Sequence, residues 1–204
     1  MPLPSTSSDF LPRKTPRQQR SEATVAAILE AAAHILQVRG FKGYTTNAVA
    51  AHAGVSIGSL YQYFPNRDSV TRALIERRSE ELLAAILQIA PATEGRDGIK
   101  NVIEIAVAQQ LRHVGFAHLL DLEEARMPLS EAMRNHGARA RETICTYLRQ
   151  AGISEYQLNT VVGDVMAIIL GMVDSAGRHG ETEQDALTTR ILRAVNGYID
   201  GVSD

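Results

Sequence analysis

Apolar residues recur along this chain at helical spacing. Val25, Ile28, Leu29, Ala32, Ile35 and Leu36 form the stripe of an amphipathic helix. Ser21 stands at its start as a cap, and Gly40 stands where a C-terminal cap would end it. Phe41 and Tyr44 should pin the connection to the core. Thr45 or Thr46 opens a short second helix through Val49, Ala50 and Ala53, which Gly54 breaks. Ser56 opens a third through Leu60 and Phe64, ended by Pro65-Asn66. Asn66 caps a long fourth helix, about Arg67 to Ile89, with Asp68 in its first turn, where the helix dipole favours a negative charge.

Five more helices complete the pattern. The fifth is expected from about Ile99 to His113 and the sixth from about Phe116 to Arg126. The seventh runs to about Gln150, with Pro128 in its first turn. Ser154 and Gln157 have the spacing of a capping box for the eighth, which ends near Gly180. Thr182 and Asp185 give a looser form of that signal for the ninth, about 183–200. No stretch alternates apolar and polar residues between turn signals, so the expected fold is all-α, with about nine helices and no sheet.

Composition narrows the functional classes. The hydrophobic share of 45% is enough for a real core. Cys145 is the single cysteine, so no internal disulfide forms, and no Cys/His spacing suggests zinc. The first dozen residues hold Pro, Ser and Asp rather than the apolar run of a signal peptide. The most apolar stretch, Val161 to Val173, is interrupted by Asp164 and closed by Asp174, which reads as a core or interface helix rather than a span. These features place the chain in the cytoplasm with no membrane partner.

The formal net charge of −2 hides an asymmetry. Residues 1–78 carry ten Lys/Arg against five Asp/Glu, and the remainder carries 11 against 18. A basic N-terminal part joined to an acidic remainder suggests that one end meets a polyanion, although an uneven solvated surface gives the same count. Residues 1–20 read as a disordered arm. Its Arg13, Lys14, Arg17 and Arg20 suit phosphate tracking or minor-groove entry, and equally a solvated tail.

The segment from Thr45 to Phe64 carries the function. Two helices of about two turns each, joined by a tight turn, must bury a common face. Ala50 is small where they cross, Gly54 supplies the turn, and Val55 and Leu60 fill the space beneath. This is helix-turn-helix spacing, in which the second helix enters a major groove. The run Gly40-Phe41-Lys42-Gly43-Tyr44-Thr45-Thr46-Asn47-Ala48-Val49-Ala50 continues, after three residues, as Gly54-Val55-Ser56-Ile57-Gly58-Ser59-Leu60-Tyr61-Gln62-Tyr63-Phe64-Pro65-Asn66-Arg67. It closely resembles the DNA-binding domain of the tetracycline-repressor (TetR) family, over about residues 20 to 80.

The resemblance implies three N-terminal helices that bind DNA, followed by a helical ligand-binding and dimerisation domain. The corresponding boundaries are an arm at 1–20, a helix-turn-helix domain at 21–68 and a regulatory domain at 69–204, with helix four bridging. It also implies a homodimer on an inverted-repeat operator, probed by Thr46, Asn47, Ile57, Gly58, Ser59, Tyr61, Gln62, Tyr63 and Arg67. Tyr61 and Tyr63 match family positions that contact the sugar-phosphate backbone, and their alternative is packing. Thr46 matches a phosphate-contacting position and also suits the helix-two cap. Arg67 stands where the family usually has Lys, at a helix N-terminus that already attracts phosphate. No Arg or Lys in the recognition helix reads guanine, so readout would lean on Gln62, thymine methyls and DNA shape.

Two further candidate sets follow. The dimer candidates are Gly163, Ala167, Leu170, Gly171 and Asp174 on helix eight, with Ser175 continuing the small-residue stripe, and Ile191, Val195 and Tyr198 on helix nine. The same stripes suit packing within one subunit. An unidentified small-molecule effector would meet Ile105, His113, Phe116, Leu119, Met127, Met133, Tyr147, Met166 and Ile169, each of which equally suits plain core. His113, His118, Asp121 and Glu124 are polar groups for such a pocket or ordinary surface residues. His118 and Asp121 share a helix face, but no third ligand is evident, so no metal and no cofactor are expected. The chain lacks a Ser/His/Asp order, a Gly-rich phosphate loop and a Glu-x-x-His pair, which argues against an all-helical enzyme. The expected function is a repressor released by an inducer, or a DNA-binding regulator under protein-partner control.

Overall fold

The computed structural model describes residues 19–89, 94–112 and 114–203. Among them are nine helices and no strand: α1 (Gln19–Gly43), α2 (Thr46–His52), α3 (Ile57–Tyr63), α4 (Arg67–Ile89), α5 (Gly95–Arg112), α6 (Val114–Arg126), α7 (Glu131–Gln150), α8 (Glu155–Arg178) and α9 (Gln184–Ser203). The expected arm lies outside the described residues except for Gln19 and Arg20, which already belong to α1. Helix one therefore starts before the Ser21 cap expected for it.

Two compact units emerge. The first comprises the described residues up to Arg78 together with Leu119–Leu129; the second comprises the described residues of Ser79–His118 and from Ser130 onward. Helix α4 contributes residues to both. The inclusion of Leu119–Leu129 in the first unit is a grouping that a linear boundary at residue 68 does not express.

In the first unit the predicted stripe of α1 is buried except at Val25, which is half-buried. Ile28, Leu29, Ala32, Ile35 and Leu36 are all 7% exposed or less, and Tyr44, Val49, Leu60, Phe64, Val70 and Leu74 bury with them. Gly40 adopts φ 58° and kinks the chain, so α1 continues to Gly43 only across a break. Arg77 of α4 pairs with Glu30 of α1 at 2.7 Å.

In the second unit, α5, α7, α8 and α9 surround one apolar core. Its members include Val102, Ile103, Val107, Tyr147, Leu148, Val162, Val165, Leu187, Ile191, Val195 and Ile199. Gly98 makes room for Tyr147: a Cβ there would stand 2.4 Å from the ring. Helix α8 is long and apolar enough to cross a membrane by length and composition. One of its faces is nevertheless packed in this core, through Val161, Val162, Val165, Ile169 and Val173.

Two expected caps differ. Pro128 does not enter α7; Ser130 is its cap, accepting from the Met133 N–H at 3.2 Å. The Ser154 hydroxyl makes no capping bond to the backbone and instead donates to Gln157 Oε1 at 2.6 Å. Gln157 Nε2 is drawn away to donate to the Val202 carbonyl at 3.0 Å.

Candidate nucleic-acid interface

The turn between α2 and α3 is closed by backbone alone. Gly54 sits at φ 68°, its N–H donates to Ala51 O at 3.3 Å, and the Val55 N–H donates to Ala50 O at 3.0 Å. That pair of bonds is a Schellman ending, which needs a left-handed residue, and Gly54 supplies it without strain. Thr45 Oγ1 then caps α2 by accepting from the Ala48 N–H at 3.1 Å. Of the two threonines offered by the sequence, Thr45 is the cap, so the capping role expected of Thr46 is corrected. The Thr46 hydroxyl lies instead 3.1 Å from the Tyr61 hydroxyl, which ties the start of α2 to the middle of α3.

Helix α3 is capped by Ser56, whose hydroxyl oxygen accepts from the Ser59 N–H at 3.0 Å and meets Ser59 Oγ at 2.8 Å. Its inner side is Leu60, fully buried, and Phe64 follows at 1% exposure. Its outer side leaves Ile57 37% and Tyr61 40% exposed. Asn47, Gly58, Gln62 and Arg67 are also exposed, while Thr46, Ser59 and Tyr63 are half-buried. All nine DNA candidates thus lie in the first unit with accessible surface.

Gly58 is informative because nothing inside the protein requires it. A Cβ there would meet only Ser56 Oγ, at 3.8 Å. An exposed glycine within a helix costs about 0.5–1 kcal/mol relative to alanine. Its use here leaves bare backbone on a helix that also exposes Ile57 and Tyr61.

Helix α4 begins beside this surface. Asn66 Oδ1 caps it by accepting from the Ser69 N–H at 2.8 Å, and Ser69 Oγ donates back to the Asn66 carbonyl at 2.7 Å. Arg67 projects from the first turn with its side chain 43% exposed and its guanidinium 5.9 Å above the Phe41 ring. Charges alternate behind it. Asp68 Oδ1 lies 3.5 Å from Arg67 Nη2, Asp68 Oδ2 lies 3.2 Å from Arg126 Nη2, and Arg126 Nη2 reaches Glu123 at 2.5 Å. Arg78 Nη1 donates to Asp121 Oδ1 at 2.7 Å. Sequence reading missed Arg126 and Glu123 because they lie about sixty residues from the motif. It missed Tyr44 as a polar anchor for a different reason: its burial looks apolar until Thr71 is placed 3.2 Å from its hydroxyl. Burial pushes that hydroxyl up to about 12, while the Thr71 hydrogen bond and the Arg67 charge pull the other way.

The other candidate sets fare differently. Ile191 and Val195 are fully buried within the protomer's own core, so their assignment to a dimer face is corrected. They are the inward stripe of α9. On α8 the small stripe does face outward: Ala167 and Gly171 are exposed, Gly163 and Asp174 half-buried, and Leu170 is 49% exposed. Tyr198 is half-buried and donates its hydroxyl to Asp164 Oδ2.

Among the effector candidates, Tyr147 and Ile169 fill the second unit's core, while Ile105, Phe116, Met133 and Met166 are half-buried. Leu119 and Met127 belong to the first unit, and His113 lies outside the described residues. A cleft of about 500 Å³ in the second unit is lined by Ile89, Asn101, Glu104, Ile105, Ala108, Gln184, Asp185 and Thr188. Of the described candidates, only Ile105 lines it. Asp121, weighed as a pocket or metal group, is engaged by Arg78.

Residues 28–74 match the model of the bacterial regulatory proteins of the tetR family. That match takes in the helix-turn-helix with the adjoining parts of α1 and α4. A nucleoid occlusion factor SlmA of Vibrio vulnificus is 31% identical over 125 residues, covering 60% of this chain and 63% of that protein. The HTH-type transcriptional repressor DrrR1 of Streptomyces coeruleorubidus is 27% identical over 180 residues, covering 85% of this chain and 60% of that one. The chain spans less than two thirds of the length of these relatives. In fold it resembles a TetR-family transcriptional regulator from Streptomyces coelicolor, with TM-score 0.70, 24% identity and coverage of 91% and 100%. The Bacillus subtilis regulator FadR, solved with stearoyl-CoA, has TM-score 0.69, 15% identity and coverage of 83% and 96%. These likenesses extend the tetR-family fold beyond the matched domain.

Proposed function

We propose that this chain is a dimeric DNA-binding transcription regulator whose helix α3 enters the major groove of an inverted-repeat operator. One observation carries the reading: the exposed side of α3 has a bare glycine backbone at Gly58 that internal packing does not explain. Close approach to a duplex supplies the reason. Ile57 and Tyr61 then present apolar surface to thymine methyls and sugars, and Gln62 presents an amide to a base edge. The Tyr61 hydroxyl, Thr46 and Arg67 face the phosphates. Asn47, Ser59 and Tyr63 complete the contact surface.

A palindromic site requires a two-fold protein. The outward stripe Gly163, Ala167 and Gly171, with Leu170 beside it, supports pairing with a second copy, because small residues let helices approach closely. Repression is supported by DrrR1, and binding of a ligand with a long acyl chain is supported by FadR in its stearoyl-CoA complex. The nucleoid occlusion factors favour a second reading, a nucleoid-associated DNA-binding factor.

The deciding experiment is fluorescence anisotropy on duplexes from the intergenic DNA beside its own gene, followed by footprinting. A protected inverted repeat is the expected result. Equal affinity for every duplex at physiological salt would remove the operator reading.

A further inference from the structure

We propose that Arg126 sets the grip of Arg67 on phosphate by neutralising Asp68. The inference rests on the DNA-binding reading above and assigns a positioning residue to that interface from outside the helix-turn-helix.

Arg67 and Arg126 address different oxygens of one carboxylate, at 3.5 Å and 3.2 Å. Glu123 shares Arg126 with Asp68, at 2.5 Å to the same Nη2 and 3.1 Å to Nε. Asp68 favours the start of α4, where the helix dipole welcomes a negative charge. The same charge opposes a phosphate brought to the neighbouring Arg67. Arg126 resolves the conflict: with a cation already on Oδ2, Asp68 holds Arg67 only loosely, and Arg67 stays exposed over Phe41.

Without Arg126, the Asp68 carboxylate has Arg67 as its remaining ion-pair partner. Arg67 is then drawn inward, and the cluster of Asp68 and Glu123 gains one net negative charge. Both effects lower affinity and flatten its salt dependence. Stability should change little, because a pair at 47% and 29% side-chain exposure is of the kind that contributes weakly to folding.

The test is a double-mutant cycle with Arg126→Gln and Asp68→Asn, read by anisotropy on one duplex across a salt series, with thermal melting alongside. Arg126→Gln should weaken binding by roughly three- to tenfold at low salt, with melting unchanged within ~2 °C. In the Asp68→Asn background it should cost less than about twofold, since independent sites add and coupled ones do not. Arg126→Lys should keep most of the affinity, because the charge matters more than the fork. Equal losses in both backgrounds would overturn the inference, by showing that Arg126 acts on DNA directly, and so would no loss in either. Wild-type protein that binds no duplex removes the DNA-binding reading and this inference with it. Binding that Arg67→Ala weakens and Arg126→Gln leaves intact removes this inference alone.

Discussion

Replacing Gly58 by alanine separates what the fold wants from what the duplex wants. The new methyl meets only Ser56 Oγ, at 3.8 Å, so it adds no clash. It should raise stability by about 0.5–1 kcal/mol, the ordinary difference between glycine and alanine in a helix. For a chain of 204 residues that is a melting increase of ~1–4 °C. Against DNA the sign reverses. A methyl at a close backbone approach pushes α3 out of the groove and loosens every contact it makes, for an expected loss of about tenfold or more, equivalent to ~1.4 kcal/mol. Differential scanning fluorimetry and anisotropy on the same preparation give both numbers. A more stable Gly58→Ala protein that binds its duplex as tightly as wild type would refute the close-approach argument. A less stable one would refute the packing argument beneath it.

Other expectations are more direct. Arg67→Ala should weaken all duplexes similarly and reduce the slope of log affinity against log salt by about one, measured by titration at several salt concentrations. Leu170→Asp should give folded monomers by light scattering, whereas Ile191→Asp should unfold the second unit, because Ile191 is fully buried. A folded, dimeric Leu170→Asp protein would remove the α8 interface. Tyr44 ionises near 10 when unfolded and about 12 when folded, so its stabilising contribution is complete below pH 10 and is lost as pH rises towards 12. That loss amounts to about 2–3 kcal/mol. Tyr44→Phe should flatten this alkaline limb in melts taken from pH 9 to 12.

Much of this architecture was legible from period and punctuation. The α1 stripe, the Gly54 turn, the Ser56 and Asn66 caps and the exposed face of α3 depend on residues within a few positions of one another. What sequence reading missed depends on distant partners. Ile191 and Val195 form a clean apolar stripe, but a stripe does not say whether it faces its own core or a second chain; α5 and α8 claim it here. Gln157 has capping-box spacing, yet its Oε1 takes the Ser154 hydroxyl and its Nε2 turns to the distant Val202 carbonyl. The carboxylate of Asp68 is a helix-start signal in sequence, and only the fold brings Arg126 to it.

The first unit is not a continuous stretch of chain. Its last piece, Leu119–Leu129, is separated from Arg78 by forty residues of the second unit. During synthesis, the ribosome must therefore deliver residue 129 before the first unit has all its parts, including the partners of Arg78 and Asp68. A gene fragment stopped near residue 80 encodes every element of the helix-turn-helix but omits Asp121 and Arg126. Chimaeras that join this head to another regulator's body would need to carry that short segment across as well.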